Sequence, residues 1–356
     1  MKETVVVGMS GGVDSSVAAY LLKEQGYQVI GVTMQLFDNT EDDSCCGITG
    51  IEDARRVAAV LDIPYYVLNF KEVFRHSVMD YFAGEYGMGR TPNPCIVCNR
   101  YVKWEALLKK GREIGAEYLA TGHYARVGKL SNGRYAVMNS VTAMKDQTYA
   151  LYNLTQKQLA HTLMPVGEYD KDRIREIARR QGLPVAVKPD SQDICFVPDH
   201  DYAGFVCRHT GKTCIPGNFV DSDGNILGQH KGIIHYTVGQ RKGLGISFGK
   251  PMYVGAVRPD SNEVVLVEEQ KLWTNSLCAK QMNYMGVASF VKGQQMLAKI
   301  RYSHKGELCQ VEYADEHQVK ITFEKPVRAV TPGQAVVFYD GEVVLGGGVI
   351  AGGDGC

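Results

Sequence analysis

The chain has 356 residues, 45% of them hydrophobic, and its 39 basic and 39 acidic side chains balance. That length predicts two or three domains, and zero net charge argues against non-specific coating of nucleic acid while leaving room for a local basic face. No apolar run approaches the roughly 20 residues of a membrane span. The opening MKETVVVGMSGG has no signal-peptide layout and enters a strand directly, so a cytoplasmic location without membrane attachment is expected.

The first predicted element is the β-branched run TVVVGM, a buried strand. A Gly/Ser loop follows and passes at once into a helix on which Val17, Tyr20 and Leu21 share a face. YQVIGVTMQLF reads as a second strand, IEDARRVAAVLDI as a helix and PYYVLNF as a third strand; helices are predicted in EVFRHSVMDYFAGEYG and VKWEALLKKGREIG, before the strand-like AEYLATGHYA. Such alternation predicts a doubly wound, mostly parallel sheet with helices on both faces. Ligands of these sheets bind beyond the carboxyl ends of the strands, where the loop from Ser10 to Ser16 falls.

After about residue 205 the pattern changes. GNFVDSDGNILGQH and GAVRPDSNEVVLVEE are short strands joined by turn residues, and from about residue 280 the chain reads as all β, through LAKIRYS, LCQVEYA, QVKITF and AVVFYDGEVVLGGGVI. The expected organisation is an α/β catalytic domain over 1–205, a small α+β domain over 206–278 and a C-terminal β-barrel over 279–356.

Three stretches carry chemistry. In GMSGGVDSS, Ser10, Gly11 and Gly12 let the backbone approach a phosphate, and successive N–H groups with the helix start make an anion site. Ser15 and Ser16 add hydroxyls; Asp14 beside a polyphosphate asks for Mg²⁺ between them. A ligand-free strand–helix turn explains SGG alone equally well.

The second stretch, GRTPNPCIVCNRYVKW, sets Cys95 and Cys98 as C-x₂-C just before a helix, with Arg100 and Lys103 near to depress a thiol pKa. Half of a zinc site is the plain alternative, but no second C-x₂-C or His pair completes it. The third stretch, KPDSQDICFVPDHDY, sets Cys195 after a polar turn; beside Phe196 and Val197 it reads equally as a buried thiol. Two reactive cysteines on a domain with a phosphate-binding loop suggest sulfur transfer, one carrying a persulfide and the other releasing it. Cys207, Cys214, Cys278, Cys309 and Cys356 read as structural or incidental, and Cys45–Cys46 carries no assigned role.

The loop GMSGGVDSS resembles the signature of the PP-loop ATP pyrophosphatases, the adenine-nucleotide α-hydrolase-like group. With GRTPNPC..CN...KW, ATGHYA, KDQTYAL, DSQDICF and YTVGQRKGLG in that order, essentially the whole chain resembles the bacterial tRNA 2-thiouridylase family. The resemblance implies ATP cleavage to AMP and pyrophosphate, adenylation of the C2 oxygen of the wobble uridine in tRNAs for Lys, Glu and Gln, and its replacement by sulfur. It implies ATP contacts from Gly8, Met9, Ser10, Gly11, Gly12, Val13, Asp14, Ser15, Met34 and Gly122, and a target-base site at Asn93, Pro94 and Cys95. Cys98 would be the catalytic nucleophile and Cys195 the persulfide carrier, joined by a transient disulfide. His123, Lys145, Asp146, Gln147, Arg301, Tyr302 and Gln334 would touch tRNA. With tRNA as partner, Arg241 and Lys242 in the Gly-rich loop of YTVGQRKGLG read as phosphate contacts, against the plain alternative of a solvated basic turn. The sulfur donor would derive from a cysteine desulfurase, directly or through a relay.

One departure stands out: position 95 is Cys where the best-known members carry Asp. A third thiol opens a different route, a [4Fe-4S] cluster on Cys95, Cys98 and Cys195. An amide-forming PP-loop ligase and a non-catalytic iron–sulfur RNA-binding sensor are the other readings to be weighed.

Overall fold

The computed structural model describes residues 2–37, 48–189, 194–247 and 249–352. Cys45, Cys46, Cys356 and the DSQD of DSQDICF lie outside the described residues. The chain divides into two compact units: Met1–Val78 with Cys95–His200 and Glu342–Val344, and Met79–Pro94 with Asp201–Gly341 and Leu345–Cys356.

The first unit holds β1 (Thr4–Gly8), β2 (Gln28–Gln35), β3 (Tyr65–Asn69), β4 (Tyr118–Ala120), β5 (Ala125–Lys129), β6 (Tyr135–Asn139) and β7 (Thr162–Leu163). Five form a sheet in the order β3-β2-β1-β4-β7, with every pairing parallel. Val5, Val6 and Val7 are buried on both faces of β1, as a central parallel strand requires. Helices Val13–Glu24 and Lys171–Arg180 bring Val17, Ala18, Ile174 and Ala178 into its core, joined by Ala54 and Val57 of helix Ile48–Val60. β1 has β2 on one side and β4 on the other, so its carboxyl end is the topological switch point. The Ser10–Gly12 loop leaves from there.

The strand expected through AEYLATGHYA is shorter than its apolar run. β4 stops at Ala120, because Gly122 turns to meet the start of helix Val13–Glu24, and the chain re-enters an antiparallel β5–β6 hairpin. The helix expected over VKWEALLKKGREIG begins earlier, as Pro94–Val97, continues π-wound over Cys98–Leu107 and returns to α over Leu108–Glu113.

In the second unit, β8 (Gly217–Val220), β9 (Ile226–His230), β10 (Tyr253–Arg258) and β11 (Glu263–Val267) form a sheet in the order β10-β11-β8-β9. β12 (Trp273–Tyr284), β13 (Gln295–Lys299), β14 (Glu307–Ala314), β15 (Gln318–Arg328), β16 (Ala335–Asp340) and β17 (Val343–Ile350) follow in the order β12-β15-β14-β13-β16-β17. β12 also pairs with β17, which closes the six strands into a barrel. Leu277, Val311, Ile321, Val336 and Phe338 fill its interior. A parallel α/β sheet, a small mixed domain and a terminal β-barrel are the architecture the sequence pattern predicts.

Candidate active site

The loop after β1 is built to bring backbone close to something. Gly11 has φ of +72°, and a Cβ there would lie 2.3 Å from the carbonyl oxygen of Gly50, so a side chain is refused on both counts. Met9 and Val13 are buried, which leaves only their backbone for a ligand; Gly8 and Met34 sit half-buried at the carboxyl ends of β1 and β2. Ser15 and Ser16 turn their hydroxyls onto the Gly12 carbonyl at 3.2 and 2.8 Å, and the Ser10 N–H donates to Ser15 Oγ at 3.2 Å. These bonds shape the loop and its helix start. Gly122 closes the site from β4: a Cβ on it would be 2.5 Å from the Ser15 nitrogen.

Asp14 has partners that no sequence pattern announced. Lys171 Nζ lies 2.7 Å from its Oδ1 and 2.9 Å from its Oδ2, and the Tyr124 hydroxyl donates to Oδ1 at 2.7 Å. Lys171 is the first residue of helix Lys171–Arg180, just after the cap formed by Asp170. A cation at a helix N-terminus opposes the helix dipole, so its position there needs the compensating carboxylate. Both carboxylate oxygens of Asp14 are thus engaged by protein donors. The loop that lacks a lysine of its own thus has one, supplied from about 160 residues away.

The backbone of Tyr124 is fixed by Gln147, whose Oε1 accepts its N–H at 2.8 Å. Asp146 accepts from the Ser140 and Thr148 N–H groups at 3.0 and 3.2 Å, while Lys145 is exposed. His123 Nδ1 is 2.7 Å from Thr121 Oγ1 and its ring lies 5.5 Å from that of Trp104. Burial, with the Lys103 charge nearby, pushes its imidazole well below the ordinary histidine range, so it is neutral.

The thiols have contrasting surroundings. Cys95 is exposed in the short helix Pro94–Val97, and Cys98, the first residue of the π-wound segment, is buried. The expected position just before a helix is therefore one turn inside it. That segment is pinned by the Trp104 indole donating to Thr162 Oγ1, Asn99 to the Ala150 carbonyl and Arg100 to the Asn153 carbonyl, at 2.7, 2.9 and 2.7 Å. Cys195 is half-buried in a turn where the Val197 N–H donates to the Ile194 carbonyl, with Phe196 edge-on to Phe74. Cys95, Cys98 and Cys195 all stand as thiols. Among the described residues no three His, Cys, Asp or Glu side chains form a group that could hold a metal ion.

In the second unit, Gln334 Nε2 donates to the Thr91 carbonyl at 2.7 Å, and the Thr91 N–H donates to the Pro332 carbonyl at 2.9 Å. The barrel thus holds the strand of chain that leads to Asn93 and Pro94. Arg301 donates to the Arg328 carbonyl at 3.1 Å, and Tyr302 is exposed beside it.

Residues 3–199 match the tRNA methyl transferase HUP domain, 203–268 the tRNA methyl transferase PRC-barrel domain and 274–350 the aminomethyltransferase beta-barrel domain. The tRNA-specific 2-thiouridylase MnmA of Lachnoclostridium phytofermentans is 62% identical over 97% of this chain and 99% of its own length. That of Clostridioides difficile is 54% identical over 98% of each. This chain belongs to the tRNA-specific 2-thiouridylase family.

As a thiouridylase-family chain it combines an ATP-using PP-loop unit with thiols on a pinned helix. Sequence reasoning missed Lys171 and Tyr124. The trace available for Lys171 was a lysine placed directly after a capping Asp, where helices favour acids.

Proposed function

We propose that this chain is an ATP-dependent tRNA uridine 2-sulfurtransferase acting on the wobble uridine of tRNAs for Lys, Glu and Gln. The observation that carries the reading is identity above 50% with tRNA-specific 2-thiouridylases along the whole chain. The PP-loop at the switch point of the sheet is consistent with it.

ATP enters with Mg²⁺ as substrate. The N–H groups of the Ser10–Gly12 loop and the N-terminus of helix Val13–Glu24 take its phosphates, and Lys171, held by Asp14, adds positive charge at that end. The uridine leaves its stack to reach Asn93, Pro94 and Cys95. Its C2 oxygen attacks the α-phosphorus and pyrophosphate departs, leaving C2 bound to AMP. Cys195 holds the incoming sulfur as a persulfide supplied by a cysteine-desulfurase-derived donor. The Cys98 thiolate attacks Cys195 Sγ, the sulfur–sulfur bond breaks and hydrosulfide is released. Hydrosulfide adds to C2, AMP leaves with the C2–O bond, and 2-thiouridine forms. The resulting Cys98–Cys195 disulfide is reduced by an external thiol before the next turnover.

Anaerobic turnover with unmodified tRNA, ATP and a persulfide donor, followed by nucleoside mass spectrometry, tests this. The expected products are 2-thiouridine, AMP and pyrophosphate. tRNA-dependent ADP, or full activity of a Cys98→Ser/Cys195→Ser double variant, would replace the reading with a different PP-loop chemistry such as amide formation.

A further inference from the structure

Cys207 and Cys214 belong to neither the PP-loop nor the sulfur-transfer thiols, and the sequence presents them as incidental. In the second unit they meet, with Sγ atoms 2.7 Å apart. Local chain geometry produces this. Cys207 lies in the last full turn of helix Tyr202–Thr210, which ends at Gly211 with φ of +68°. The chain reverses there and returns Cys214 to the helix before entering β8.

Both sides are braced. Asp201 caps the helix through the Gly204 N–H at 2.9 Å, and His209 Nε2 is 2.6 Å from Asp80 Oδ1. Gly232 backs the other thiol so closely that a Cβ there would sit 3.0 Å from Cys214 Cβ. The two sulfurs are half-buried and line a cavity of about 830 Å³ whose wall includes exposed Lys212 and Ile215. Burial and the bond to Cys207 push the Cys214 thiol up to about 11, so it keeps its proton at neutral pH. Cys309 is the contrast: buried inside the barrel, its thiol is pushed up to about 12 by burial alone.

We propose that Cys207 and Cys214 form a reversible dithiol–disulfide couple, oxidised by low-molecular-weight disulfides or hydroperoxides that enter this cavity. With a small disulfide, the Cys207 thiolate attacks one sulfur and the first small thiolate leaves with the electron pair. Cys214, losing its proton to solvent, then attacks Cys207 Sγ and expels the second small thiolate. Two electrons pass from the cysteines to the oxidant, and two protons are released in all. With a hydroperoxide, Cys207 becomes a sulfenic acid as the alcohol or water departs, and Cys214 displaces water from it. The new bond ties the end of helix Tyr202–Thr210 to the segment entering β8. It is independent of the sulfur-transfer reading, which uses other thiols in the other unit.

The test uses the full chain, as wild type and as the Cys98→Ser/Cys195→Ser variant, exposed to glutathione disulfide under native conditions, quenched in acid and alkylated. Expected is a cross-linked peptide pair containing Cys207 and Cys214 with two hydrogens lost, in both proteins, reversed by dithiothreitol, while Cys309 is protected in the folded protein and alkylates after unfolding. Cys214→Ser, checked for native circular dichroism, should stop at a glutathione adduct on Cys207. Full alkylation of both cysteines after oxidant, a stable glutathione adduct on wild-type Cys207, or pairing of either with another cysteine would overturn the proposal.

Discussion

Lys171 Nζ is bonded to both carboxylate oxygens of Asp14, at 2.7 and 2.9 Å, with the Lys171 side chain largely buried. The pair sits where the first turn of helix Val13–Glu24 meets the first residue of helix Lys171–Arg180. Asp14 favours its helix dipole, Lys171 opposes its own, and the ion pair reconciles them. On the proposed function, an ATP phosphate arriving at the loop would give Lys171 a second acceptor.

Lys171→Met should therefore slow tRNA-dependent AMP formation by about 10²- to 10³-fold, as loss of one preorganised charge at a reacting centre does, with tRNA affinity unchanged. Asp14→Asn should also impair turnover. The two losses should be non-additive, with a coupling of about 0.5–3 kcal/mol in a double-mutant cycle. Additive losses would mean the pair does not act as a unit.

The three thiols of the first unit separate the two sulfur routes. Cys98→Ser and Cys195→Ser should abolish 2-thiouridine formation, while Cys95→Ser, whose side chain is exposed, should retain at least about a tenth of the rate, within about 1.4 kcal/mol of wild type. Each variant should still bind ATP. An inactive Cys95→Ser enzyme that has also lost iron and sulfide found in the anaerobic wild-type preparation would turn the decision to a cluster.

His123 titrates below its ordinary value of 6.5 because burial disfavours the imidazolium, with Lys103 adding to it. Below that pH the unfolded chain binds a proton that the native ring refuses. Its contribution to stability is therefore complete above 6.5 and is lost as pH falls toward the native pKa, at up to about 1.4 kcal/mol per pH unit. Urea melts at about pH 7.5 and about pH 5.5 should show less acid loss in His123→Gln than in wild type. Equal slopes in the two proteins would place the acid sensitivity elsewhere.

Lys145 is exposed beside the loop that Asp146 and Gln147 hold in place. Lys145→Ala and Arg301→Ala should each weaken tRNA binding and flatten the salt dependence by about one phosphate contact, a slope change of about 0.7–0.9. Arg301→Lys should keep the slope while losing the bond to the Arg328 carbonyl. A salt slope identical to wild type in both alanine variants would remove these residues from the interface.

The sequence by itself determined the elements and the loop. VVV followed by SGG and a helical pattern is a local signal, because strand burial, glycine freedom and helix periodicity all act within about ten residues. The same holds for the turn-punctuated strands of the barrel and for the C-x₂-C stretch. Closure of the barrel, through β12 pairing with β17, and the meeting of Gly122 with the Ser15 backbone were decided only by the tertiary structure. So were the partners of single charges and thiols: Lys171 for Asp14, Gln334 for the Thr91 carbonyl and Cys214 for Cys207. Each depends on where the packed layers bring two side chains within a few ångströms. Residue types and local spacing carry no record of that distance, even for two cysteines seven residues apart, until Gly211 turns the chain back.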